Sequence, residues 1–150
     1  MTTYTAYWTG EGPSRTYQKN LYLKANTNPL KIVSVTAIGF PIVGWTDVYW
    51  NLSRFAGSSP TGGTTLTPFP YRDGAPPTTA TFRYGITGIT GTESIILTTY
   101  NSGDLGQNWT PPYYLTIAPG NALFYGTTSG SGNIYYIQIV YEELSVQGSV

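Results

Sequence analysis

The sequence predicts an all-β fold, an antiparallel β-sandwich or jelly-roll-like domain, and three observations carry that expectation. Thr, Tyr, Ile and Val dominate the runs between 18 glycines and 11 prolines, a composition that favours strands. No window of about 12 residues has good helical periodicity. Turn signals recur about every ten residues, which gives roughly eight to ten short strands. At 150 residues the chain can bury a core without disulfides or metal staples and reads as one domain.

Residues 1–18 place Tyr4, Ala6 and Trp8 on one side of an extended chain and Thr5, Tyr7 and Thr9 on the other, before the breaker at 10–14. This segment is either an edge strand or an arm laid on a neighbour, with the sandwich proper spanning 19–150. Its aromatic anchors Tyr4, Tyr7, Trp8 and Tyr17 favour contacts supplied by a partner.

A short strand over 19–24 faces Leu21 and Leu23 one way and ends in a turn at 26–29. The strand over 31–40 sets Ile32, Ile38 and Phe40 against Val33, Val35 and Ala37, apolar enough on both faces to be central. In the strand over 46–55, Val48, Trp50 and Leu52 point inward, with Tyr49, Asn51 and Ser53 outward. Residues 57–63 read as a loop. Pro68 and Pro70 make 64–71 an edge or an extended cross-over, and 72–77 a turn. The strand over 78–86 aligns Ala80, Phe82, Tyr84 and Ile86, and Gly85, Gly88 and Gly91 space out a hairpin region before a strand over 93–100.

The closing region, 113–143, reads as three strands. These are 113–118, 122–127 and 134–143, separated by a Pro119-Gly120-Asn121 turn and a Gly/Ser loop. Alternation in the last puts Tyr135, Ile137, Ile139 and Tyr141 on a fully apolar face. The opposite face carries Ile134, Tyr136, Gln138, Val140 and Glu142. It is too apolar for open water and too polar for a core, the character of a surface that meets another chain or segment.

Seven basic and seven acidic residues are scattered without a basic stripe, which argues against nucleic-acid binding. So little charge, 9% of residues, defends poorly against association. No run approaches transmembrane length, and the N-terminus has no basic region followed by an apolar one. Synthesis in a cytoplasm without a cleaved secretion signal is the expectation, and the sequons at Asn51 and Asn108 then match by chance.

The chain has no His and no Cys, which removes the commonest general base, thiol nucleophile and transition-metal ligands. Glu142 and Glu143 are adjacent on a strand and point to opposite faces, so they form no local glycosidase pair. The segment Asn101-Ser102-Gly103-Asp104 lacks the acidic density of a calcium loop. No catalytic residue, metal ligand or cofactor is assigned. Trp109, Tyr113 and Tyr114, around the irregular 101–112 stretch, are the best candidates for stacking on a sugar ring, against the commoner use of aromatics in cores and interfaces.

Two stretches carry a resemblance. Residues 60–85, PTGGTTLTPFPYRDGAPPTTATFRYG, and 115–125, LTIAPGNALFY with the loop and final strand ending in Glu142 and Glu143, resemble small β-sandwich virion proteins of tailed bacteriophages. The resemblance covers about half of the chain. It implies a capsid decoration (cement) protein, often trimeric, that binds the major capsid protein on the shell, and it implies no catalytic residue. The alternative is a receptor- or glycan-binding module of a tail fibre or baseplate.

Overall fold

The computed structural model of the chain describes residues 2–9, 21–40, 48–101, 107–129 and 133–144. Among the described residues there are ten strands and no helix. They are β1 (Thr2–Thr9), β2 (Leu21–Lys24), β3 (Leu30–Phe40), β4 (Val48–Leu66), β5 (Phe69–Pro70), β6 (Thr81–Asn101), β7 (Gln107–Trp109), β8 (Leu115–Ile117), β9 (Ala122–Ser129) and β10 (Asn133–Glu143). One sheet has the order β5-β1-β10-β3-β7, with β8 also on β3, and the other joins β2, β6, β4 and β9 in a closed ring. Both contribute to one core: Tyr4, Ile32, Ile137 and Tyr141 from the first meet Leu21, Leu52, Phe82 and Leu123 from the second. The protein is the all-β sandwich its composition predicts.

β10 is the centre of the first sheet. Ile137, Ile139 and Tyr141 are buried, as alternation requires, and β1 and β3 pair antiparallel on either side. β1 keeps register with β10 from Thr2↔Glu143 to Thr9↔Tyr136. Tyr4 and Ala6 are buried in the shared core, and the Tyr4 ring stacks on Tyr141 at 5.5 Å. Of the two readings open for the N-terminal segment, residues 2–9 therefore take the strand, and this chain supplies their contacts. Tyr4, expected as an interface anchor, lies inside the protein. Tyr17 falls outside the described residues.

In β3 the simple alternation fails. Ile32 pairs with Tyr141 and Ser34 with Val140, leaving Val33 as the extra residue of a bulge. The bulge turns both Ile32 and Val35 into the core, although their odd spacing in sequence puts them on opposite faces.

The largest departure from expectation is the β4/β6 ribbon. Residues 57–63, expected as a loop, continue β4, and Gly85, Gly88 and Gly91 lie inside β6 rather than in a hairpin. Three register shifts, at Leu52/Ser53, Ala56/Ser59 and Thr61/Gly62, coil this long ribbon. Its β4 half pairs with β9 through Leu52↔Tyr125, and its β6 half pairs with β2 through Leu23↔Phe82, which closes the ring. Ile86 and Ile89 pack with Tyr22, Ala122 and Phe124 in a second small core. Ile86 thus leaves the row of Phe82, with which it was expected to align. Ser53, expected outward, is fully buried, and its hydroxyl donates to Glu93 Oε1 at 2.7 Å.

Gly91 shows why the ribbon needs glycine. Its φ is +118°, and a Cβ there would lie 2.5 Å from the Ala56 carbonyl oxygen. Gly74, at the tip of the turn closed by Ala75 N–H to Arg72 O at 3.2 Å, has φ +73° and open space. Gly91→Ala is therefore expected to cost about 2–4 kcal/mol, against about 1–2 kcal/mol for Gly74→Ala. Chemical denaturation of the two variants checks the difference.

Of the edge or extended cross-over expected at 64–71, residues 64–66 instead continue β4 in its ladder with β6, and the cross-over begins after them. After Leu66 the chain leaves the second sheet, and Phe69–Pro70 pairs with Tyr4 and Thr5 of the first. The Pro119-Gly120-Asn121 turn also forms, with Asn121 N–H donating to Ala118 O at 3.0 Å. The strand expected from 113 starts only at Leu115; Tyr113 and Tyr114 lie in the bend before it.

Candidate functional site

Of the residues singled out by sequence, the outer face of the first sheet carries Tyr7, Gln138 and Val140. Because Tyr4, Ile137, Ile139 and Tyr141 point inward, Thr3, Thr5 and Tyr7 of β1 point outward beside Glu142, Val140 and Gln138 of β10. Phe69 pairs with Thr5 and joins them. On the other side of β10, Lys31, Ser34 and Thr36 of β3 stand opposite Glu142, Val140 and Gln138.

The middle of this face is polar and internally bonded. Gln138 Nε2 donates to Thr5 Oγ1 at 2.9 Å, and Thr36 Oγ1 to Asn108 Oδ1 at 3.1 Å. Gln138 and Val140 are half-buried. For Ile134 and Tyr136, the other candidates on β10, the backbone is described and pairs with β3.

Aromatic groups flank this middle. At one end Tyr7 stacks on Phe69 with ring centroids 6.0 Å apart. Phe69 is 54% and Tyr71 62% exposed. A groove of about 380 Å³ runs beside them, lined by Tyr7, Trp8, Leu66, Thr67, Phe69 and Tyr84. Trp8 is half-buried against the core and lies 5.3 Å from Tyr84, ring to ring. Sequence reasoning found Tyr7 and Trp8 but missed Phe69, because only the β1–β5 pairing brings it across.

The other end is a groove of about 410 Å³ between β3, β10 and the bend before β8. Tyr113 and Tyr114 stand on its rim, more than four-fifths exposed. Lys31 Nζ lies 3.1 Å from Glu142 Oε2 and 4.8 Å from the centre of the Tyr114 ring. Trp109, grouped with these tyrosines by sequence, is elsewhere: on β7, it pairs with Val35 of β3 and packs half-buried against the core.

Glu143 is the buried charge of the molecule's described part, 7% exposed. Asn28 Nδ2 donates to it at 2.9 Å, Thr78 Oγ1 at 2.7 Å and the Thr79 N–H at 3.1 Å, and the Thr79 hydroxyl donates as well. Tyr141 O–H lies 2.8 Å from Thr78 Oγ1, which completes a chain of hydroxyls. Burial raises the Glu143 pKa, but the bonds from Thr79, Thr78 and Asn28 outweigh it and hold the carboxyl below its ordinary value. Burial likewise pushes the Tyr141 phenol up. With its acceptor positions taken up by donors of this chain, Glu143 ties the 76–80 segment and the 26–29 turn to the end of β10.

Among the described residues no group of three or more acidic residues comes together to hold a metal. Residues 102–106, which include most of the loop weighed for calcium, lie outside them. No described helix is long and apolar enough to cross a membrane. Comparison with protein-family models, with curated proteins and with solved structures gave no match.

Proposed function

We propose that this chain is a structural virion protein of a tailed bacteriophage, a capsid decoration (cement) protein made in the host cytoplasm. It self-associates, as a homotrimer by its family resemblance, and attaches to the major capsid protein of the shell. The observation that carries this reading is the exposed aromatic cluster Tyr7–Phe69 with neighbouring Tyr71, on a face whose centre is already internally bonded. Aromatic rings in this position are costly to leave wet, and covering the half of each that is exposed contributes about 1 kcal/mol. Rings clustered beside a groove are the usual anchors of protein interfaces. The resemblance of residues 60–85 and 115–125 to phage virion proteins supplies the biological setting.

Sedimentation velocity at micromolar concentration tests the self-association. The wild-type chain is expected as a trimer, and a Tyr7→Ser, Phe69→Ser double variant as a folded monomer. A wild-type monomer, or a trimer indifferent to both substitutions, would contradict the assignment of this patch. The tail-fibre or baseplate alternative draws on a different feature, the tyrosine-rimmed groove.

A further inference from the structure

We propose that the groove between Lys31, Glu142 and the Pro111–Tyr114 segment binds a neutral saccharide, a function separate from shell attachment. Tyr113 and Tyr114 are consecutive, exposed rings on its rim. Their flat faces suit the C–H face of a pyranose, and the phenol hydroxyls suit its rim of hydroxyls. Pro111 and Pro112 precede them and fix the local backbone, so less freedom is lost when a ligand docks. The cavity, about 410 Å³, is in the range of small-ligand sites.

The polar groups select the ligand class. Lys31 and Glu142 are a cross-strand pair on β3 and β10, so one side of the groove offers ammonium donors and a carboxylate acceptor side by side. Glu142 Oε2 is buried against Lys31 Nζ at 3.1 Å, so the ion pair is held in place at the groove wall that both residues line. The two charges cancel. An anionic ligand meets Glu142 and a cationic one meets Lys31, whereas a polyol satisfies both.

An extended peptide fits less well. β10 is paired with β1 and β3, and β3 with β7 over Val35–Ala37 and with β8 over Leu30–Ile32, so among the described residues this floor leaves only Val33 and Ser34 between them, too short an edge for strand addition. The groove lies four residues along β10 from Gln138, the partner of Tyr7. That is about 13 Å at strand rise, enough for the two sites to be altered independently.

The test is calorimetric titration of the full chain with neutral hexasaccharides: α-1,4-glucan, β-1,4-glucan, β-1,3-glucan and β-1,4-mannan. A sulfated glucan and a proline-rich decapeptide serve as competing ligand classes. At least one neutral saccharide is expected to bind saturably. Tyr113→Ala and Tyr114→Ala should each weaken it by about tenfold or more, and Glu142→Gln by a smaller factor, with far-UV circular dichroism unchanged. Tyr7→Ser with Phe69→Ser should leave it intact, so this site and the self-association patch can fail separately. No binding by any neutral saccharide would overturn the proposal, as would binding that survives both tyrosine substitutions or binding only of the sulfated glucan or the peptide.

Discussion

Glu143→Gln is expected to destabilise the fold by about 2–4 kcal/mol, because it replaces one accepting oxygen of a buried carboxylate with a donor among donors. Asn28, Thr78 and Thr79 all point hydrogens at this group, and an amide nitrogen can accept from none of them. The same site gives a pH signature. Its folded pKa lies below the ordinary value of 4.5, so its contribution is fully present above that pH. It declines as the pH falls from 4.5 towards the folded value and is gone below it. Urea denaturation across this window should show the wild type losing its advantage over Glu143→Gln as acid is added. A constant difference between the two proteins would show that the charge of Glu143 contributes nothing.

Removal of residues 1–9 is expected to abolish folding. The Tyr4 side chain alone, buried and stacked on Tyr141, is of the kind whose truncation to Ala costs about 3–5 kcal/mol. Deletion also strips β10 of its partner along the whole of β1 and leaves a long unpaired edge, which invites aggregation. The total approaches the whole stability of a domain, about 5–15 kcal/mol. An amide proton spectrum of the truncated chain should show collapsed dispersion. A well-dispersed spectrum with cooperative melting would restore the view of this segment as a dispensable arm.

How much of this was readable beforehand depended on whether the signal was local. The row of Ile137, Ile139 and Tyr141 is visible because strand alternation is strict where no bulge intervenes. The turn at Gly120 is visible because proline, glycine and asparagine have few other uses together. Residues 57–63 misled because Gly, Ser and Pro usually punctuate. Here they continue a coiled ribbon, with Gly57 and Ser58 in one of its bulges, and only the pairing with β6 distinguishes the two. Glu143 continues the inward alternation of β10, yet a carboxylate has no place in a core unless donors await it. Those donors come from positions 28, 78 and 79, far off in sequence. Of the candidate site residues, Tyr7 and the Tyr113–Tyr114 pair were identifiable as aromatics at strand ends. Phe69, between two prolines, joins Tyr7 only through a two-residue strand that no pattern announces.

The most direct measurement is binding of the purified chain to phage capsid shells lacking it, read by co-sedimentation and by electron microscopy of the decorated particles. On the proposed function, these are the shells of the phage that would encode the chain. The wild type is expected to bind at saturable, symmetry-related positions and to raise the temperature at which the shells rupture. The Tyr7→Ser, Phe69→Ser variant should stay in the supernatant, and Tyr114→Ala should bind as the wild type does. Wild-type protein that ignores the shells, or the double variant decorating them as fully as the wild type, would contradict a capsid decoration protein that binds as the oligomer joined through this face.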